Sequence, residues 1–218
     1  EVHPFMLAGL LYLGSGVGLM TLWCLRHWGS RSSRHKESSY LTRRDLPWFA
    51  GAVVPGGMLG PVLLMVGLAT TPSSTTALLL NLEGVFTALL AWIVFRENVD
   101  RSIFLGMLLI VLGGLLLSWE QRPELGTPWG LLAITGACVC WAIDNNLTRK
   151  VSASDPLQIA GIKGLASGMM NVALAWVIGA HWPGIANAAP AAVVGFLGYG
   201  VSLVFFVLAL RHLGTART

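Results

Sequence analysis

Charge is scarce in this chain. Of its 218 residues, 14 are Lys or Arg and 10 are Asp or Glu, 11% in all, where soluble domains carry about 25%. Hydrophobic residues make up 55%. A globule of this size needs a polar skin, and so few charges cannot supply one. The shortage excludes an ordinary soluble domain, a disordered chain and a nucleic-acid binder. The net charge of +4 matters less than where the charges fall. A membrane protein remains.

Reactive groups are scarce too. The three cysteines, Cys24, Cys138 and Cys140, sit in apolar runs. They are odd in number, support no disulfide framework and read as small buried hydrophobes. Cys138 and Cys140, two apart, point to different faces of a helix. All five histidines lie at ends or in loops. No His-Glu-x-x-His pattern or phosphate loop is present, and only Asp144 is available where an intramembrane aspartyl protease needs two acids. These absences argue against an enzyme, an ATP-driven pump and any cofactor or metal.

What the chain does have is long apolar runs. A spanning helix needs about 20 mostly apolar residues. Seven stretches qualify, at about 4–25, 46–69, 74–96, 102–119, 128–148, 158–180 and 189–210. Short polar or turn-rich segments separate them, such as Thr70-Thr71-Pro72-Ser73 and His181-Trp182-Pro183-Gly184. Trp23, Trp28, Trp48, Trp119, Trp129 and Trp182 fall near predicted ends, where an amphipathic ring sits comfortably.

Numbering the loops alternately puts Arg26, Arg31, Arg34, Lys36, Arg43, Arg44, Arg96, Arg101, Arg149, Lys150, Arg211 and Arg217 on one side. Only Arg122 falls on the other, and Lys163 lies within a span. Positive loops stay inside. The expected topology is an inner-membrane, multi-pass protein with residues 26–45 and the carboxyl end cytoplasmic. The run Arg31–Lys36 in that long loop reads as a topogenic signal, with anionic lipid heads as its other use.

Two stretches share a layout. Gly67-Leu-Ala-Thr-Thr-Pro-Ser-Ser-Thr-Thr76 follows the second span, and Ala209-Leu-Arg-His-Leu-Gly-Thr-Ala-Arg-Thr218 follows the seventh, offset by 142 residues. An odd number of helices separates these spans, so the repeats insert in opposite senses, as in secondary transporters. Completing the pattern requires one helix before residue 1 and two after residue 218. The expected domains are 1–119, a first repeat lacking its first helix, and 128–218, a second repeat lacking its last two. The expected fold is all-α, with about seven transmembrane helices here out of a ten-helix inverted-repeat (5+5) architecture.

The run Asn81-Leu-Glu83-Gly84-Val-Phe86 through Phe95-Arg-Glu97, followed by Gly106 and Gly113, resembles the end of an EamA domain of the drug/metabolite transporter superfamily. Trp141-Ala-Ile-Asp144-Asn145-Asn146-Leu-Thr-Arg149-Lys150 resembles the first helix of the second such repeat. Asp155-Pro156 with Lys163-Gly164 resembles its second helix. Gly84 stands where the family commonly has Pro, and Lys163 where it usually has Arg. The resemblance implies ten helices, cytoplasmic termini and export or exchange of small metabolites.

An ionisable group in hydrocarbon costs at least about 2.5–3.5 kcal/mol, so it normally faces a partner or a wet cavity. Glu83 is roughly 13 Å into its span at about 1.5 Å per residue, near the midplane. It reads either as a cavity-lining carboxylate whose protonation or pairing is coupled to transport, or as a helix-packing group. Asn81 is its neighbour in sequence, and Gly84 would let another backbone approach. Asp144 and Lys163, on consecutive antiparallel helices, fall at similar depth and could form a salt bridge, as a cytoplasmic gate, an anion site or a static brace, unless Lys163 snorkels to the interface instead. Trp141, Asn145 and Asn146 flank Asp144 and suit either a polar solute or interhelical glue. Asn146-Leu-Thr148 matches a glycosylation pattern but falls at the expected cytoplasmic end. Pro55 and Pro61, with Gly56, Gly57 and Gly60, should break or kink the second span, while Gly14/Gly18 and Gly164/Gly168 should allow close packing.

The reading is a permease moving a small metabolite or drug-like solute by alternating access. A non-transporting scaffold or sensor is the other reading. Its expected partners are that small-molecule solute, the lipid bilayer and a coupling proton, with a homodimer left open. Amino acids, sugars, nucleosides and cationic drugs all remain open as the solute.

Overall fold

A computed structural model describes residues 2–29, 40–98, 100–121 and 126–218. The run Arg31–Lys36, Arg122 and the side chain of Trp119 lie outside the described residues. Seven helices follow one another: α1 (Pro4–Gly29), α2 (Leu46–Leu68), α3 (Ser73–Ile93), α4 (Arg101–Gln121), α5 (Pro128–Val151), α6 (Pro156–Val177) and α7 (Ile185–Leu213). Each coincides with one of the apolar runs, to within a few residues at the ends. α7 starts earlier than expected because Pro190 stands inside it rather than in its first turn.

Local chemistry sets the helix starts. Thr127 caps α5, its hydroxyl accepting from the Gly130 N–H at 3.1 Å. Asp155 caps α6 by accepting from the N–H groups of Leu157 and Gln158 at 2.9 and 3.3 Å. A Pro follows each cap, where its missing N–H costs nothing. Gly214, at φ +86°, ends α7 in a conformation that favours glycine.

Large apolar side chains face outward. Phe104, Leu105, Leu108, Leu109 and Leu116 on α4 are all exposed, as are Trp176, Val177 and Ile185. The interior is built from small residues, among them Ala133, Ala137, Ala142, Ala160 and Ala175, each almost or wholly buried. That arrangement suits lipid outside and close helix contact inside. Five of the helices are long and apolar enough on their own to cross a membrane. α6 falls short because Gln158, Lys163 and Asn171 dilute it, yet Lys163 and Asn171 are buried against protein.

α1 lies between α6 and α7 and uses a glycine face for each. A side-chain carbon at Gly14 would strike the backbone of Ala192 on α7, and one at Gly16 would strike the backbone of Leu165 on α6. Gly164 answers Gly16 from the other side. α5 packs on α2 and α3, α6 closes against α2, and α4 rests mainly on α3. Phe49 and Val53 of α2 meet Val151, Ile159 and Val207 in one apolar cluster.

The loops separate by end as the charge pattern predicted. At one end, Arg217 pairs with Asp100 at 2.7 Å, Arg149 approaches Glu97 at 4.0 Å, and the Arg211 guanidinium donates to the carbonyls of Ser152 and Ser154. At the other, the Thr127 N–H and hydroxyl donate to the Thr70 carbonyl and hydroxyl.

Two helices depart from α geometry, each through a six-residue π segment: Val54–Leu59 in α2 and Gly195–Gly200 in α7. Their first residues, 54 and 195, are 141 apart, against the 142 of the two bends. α3 has a different irregularity. Asn81 interrupts it, its N–H reaching back only three residues to Leu78.

Candidate functional site

Glu83 is the eleventh residue of the 21-residue α3, so it sits at mid-height. Beside it lies a cavity of about 280 Å³ walled by every helix except α4. α5 contributes Trp141, Asp144 and Asn145; α6 contributes Lys163 and Ser167; α1 and α7 add Tyr12 and Tyr199. Five of the seven residues singled out from the sequence therefore meet here.

Asp144 and Lys163 are joined as the depth argument predicted. Lys163 Nζ donates to both carboxylate oxygens at 2.6 Å and to Thr148 Oγ1 at 3.4 Å. Asp144 Oδ1 also accepts from the Thr148 hydroxyl at 3.0 Å. Both charges are buried, at 5% and 7% exposure. The three protons of the ammonium have three acceptors, so none is left for a ligand. The gate and brace readings of the pair survive this geometry; an anion-binding lysine does not.

Glu83 is held differently. Oε1 accepts from Asn145 Nδ2 at 3.0 Å, and the same amide reaches Thr87 Oγ1 at 3.2 Å. Among the described residues, no Lys or Arg stands within ion-pair distance of it. Glu83 also borders a second cavity of about 520 Å³, between α3, α4 and the segment Thr215–Thr218. Glu83, Asn145 and Phe206 line both cavities, and thus form the wall between them.

The π segment of α2 shapes the floor. Widening the turn frees carbonyls from the i−4 ladder. Trp141 Nε1 donates to the Gly56 carbonyl at 3.1 Å, and Asn171 Nδ2 donates to that of Gly57 at 2.7 Å. The helix is not broken at Pro55 but widens there into a π segment, and two side chains occupy the carbonyls this frees. Only glycine fits: a Cβ at Gly56 would collide with the Asp144 carboxylate, and one at Gly57 with the Ser167 hydroxyl.

Three expectations need correction. Asn81 is exposed and bonds back to the carbonyls of Ala77 and Leu78, away from the cavity. Two residues on a helix differ by about 200°, so closeness to Glu83 in sequence put it on another face. Asn146 is buried but serves packing, its amide donating to the carbonyls of Thr87 and Ala142 at 3.1 and 2.9 Å. Among the described residues no backbone comes close to Gly84, whose nearest neighbour beyond its own helix is the Ile110 side chain at 4.0 Å. Tyr12, Tyr199 and Ser167 were missed. A signal existed for the tyrosines, since two of only three fall well inside predicted spans, away from the interfaces that tyrosine prefers.

Comparison with known proteins bears on this architecture. The sequence model of the EamA-like transporter family matches residues 1–119. The chain belongs to this family. An uncharacterized transporter of Methanothermobacter thermautotrophicus is 25% identical over 99% of this EamA-family chain and 66% of its own length. An uncharacterized transporter of Bacillus subtilis is 34% identical over 40% of the chain and 30% of its own length. The chain thus spans less than two thirds of the length of these relatives. A solved crystal structure shares the fold, with a TM-score of 0.74 at 17% identity over 97% of this chain and 71% of that one.

Proposed function

We propose that the complete protein is a secondary transporter that carries a small metabolite or drug-like solute across the cell membrane by alternating access, with the cavity around Glu83, Trp141, Asp144, Asn145 and Lys163 as its solute site. One observation carries this reading: a polar cavity at mid-height in a bundle whose outer surface is apolar. A scaffold has no need to keep a carboxylate, an ion pair and two phenols around an open space in hydrocarbon. In this reading the protein has ten helices in two oppositely inserted sets of five. The matching π segments of α2 and α7, at nearly the repeat offset, support that arrangement. The end bearing Arg96, Arg149, Arg211 and Arg217 is cytoplasmic. Glu83, on the wall between the two cavities, takes up and releases a proton as access alternates.

The test uses the full-length protein in proteoliposomes with an imposed proton gradient and a panel of labelled metabolites. The wild type moves at least one solute, and Glu83→Gln folds and inserts normally yet moves none. Full transport by Glu83→Gln at every pH removes Glu83 from the mechanism. No flux of any solute by the wild type sinks the transport reading.

A further inference from the structure

We infer that the 280 Å³ cavity selects small organic cations, with the Glu83 carboxylate as counter-ion and aromatic rings as walls. The inference rests on reading this cavity as the solute site and adds its charge class.

The charge count leads there. Two carboxylates face the cavity against one ammonium, and the ammonium is spent: Lys163 gives all three protons to Asp144 and Thr148. What remains is Glu83. Its partner is the neutral amide of Asn145, which orients the carboxylate without cancelling its charge. A carboxylate withdrawn from water gains most from a cation carrying hydrogen-bond donors or a diffuse positive charge.

The walls fit the same ligand. Tyr12 and Tyr199 stand edge to face, with ring centroids 5.1 Å apart and planes at 71°. Trp141 and Phe206 line the cavity with them. The electron-rich face of such rings attracts a cation, and the attraction grows once water is excluded. Other charge classes fare worse. Among the described residues, an anion would meet two carboxylates and no free cation. A zwitterion could place its positive end at Glu83, but its carboxylate would have to take a proton of Lys163 from Asp144. A neutral solute would suit only the protonated form of Glu83 and would leave the ionised carboxylate uncompensated. Ser167, whose hydroxyl is buried without a hydrogen-bond partner, also lines the cavity. The volume lies just under the range of about 300–1,000 Å³ typical for drug-sized molecules, so the ligand is small.

The experiment holds shape constant and varies charge. Full-length protein in nanodiscs is titrated with choline, with its uncharged analogue in which a tert-butyl group replaces trimethylammonium, with glycine betaine, and with the anionic carbon analogue of betaine. Binding is read from tryptophan fluorescence and thermal stabilisation. Choline binds at least about tenfold more tightly than its uncharged analogue, as a desolvated cation over aromatic rings should, and the anion does not bind. Glu83→Gln loses the preference for charge, and Glu83→Asp keeps it with weaker affinity. Equal binding of choline and its uncharged analogue, no response to any of the four, or a preference retained in Glu83→Gln overturns the inference. Failure of the transport reading is distinct: choline binds, but proteoliposomes pass no choline. Flux of the uncharged analogue that choline does not inhibit overturns the charge inference and leaves transport intact.

Discussion

The two ion pairs Lys163–Asp144 and Arg217–Asp100 have nearly the same length, 2.6 and 2.7 Å, and opposite surroundings. The first is enclosed at mid-bundle, with both side chains at or under 8% exposure; the second sits in the loops with both about half exposed. Distance alone would rank them equal. Burial separates them, because removing one partner of an enclosed pair strands a charge that water cannot reach, while an exposed pair already shares its charges with solvent.

The largest expected effect follows from that stranding. Asp144→Ala should destabilise the folded protein by about 3–5 kcal/mol, read as thermal unfolding in detergent by tryptophan fluorescence. The exchange Asp144→Lys with Lys163→Asp should recover most of the loss that either reversal causes alone. If it recovers none, the two groups do not act as a pair. A smaller effect is expected at the floor of the cavity. Asn171→Ala leaves the Gly57 carbonyl buried without its donor, a loss of about 1–3 kcal/mol. Trp141→Phe keeps the ring but orphans the Gly56 carbonyl, and should cost about the same or less, since the carbonyl borders a cavity that water can enter. A midpoint unchanged by both substitutions would mean that the π segment holds its shape without these clamps.

At the small end stands Arg217→Ala. It should lower the thermal midpoint only slightly at neutral pH. The Asp100 carboxyl is held below the usual carboxylate range first by the Ile103 N–H and then by the Arg217 guanidinium. Without the arginine it should rise slightly and still titrate below an ordinary aspartate. A depressed folded value stabilises at neutral pH and that stability is lost as pH falls through it, so the variant's small deficit belongs to neutral pH and vanishes in acid, where both proteins carry a protonated Asp100. NMR titration of the Asp100 carboxyl checks both points. A large stability loss in Arg217→Ala would erase the contrast between buried and exposed pairs.

Much of the site was legible because depth in a membrane can be counted. Residues from a helix end convert to height at about 1.5 Å each. Counting toward the shared loop from both sides brought Asp144 and Lys163 level before any contact was known. Azimuth was harder. Asn81 and Asn145 are both amides associated with Glu83, one by sequence and one by space, and only Asn145 touches it. Asn145 and Asn146 differ by one residue and about 100°, and they part company: one faces the cavity, the other packs on α3. Hydrophobic periodicity usually resolves such choices, but a helix apolar all round offers no stripe to read.

By itself the sequence determined that the chain is a bundle of membrane helices, where those helices begin and end, which loops share a side, and that Glu83, Asp144 and Lys163 would be buried at cost. Those properties follow from hydropathy, helix rise and the price of charge in hydrocarbon, all local or additive along the chain. The tertiary structure alone decided that Lys163 is fully occupied while Glu83 is not, that Tyr12 and Tyr199 meet, and that the carbonyls freed in α2 are taken by Trp141 and Asn171. Those outcomes depend on the rotation of each helix about its own axis, which is set by small-residue packing between distant segments such as Gly16 with Gly164.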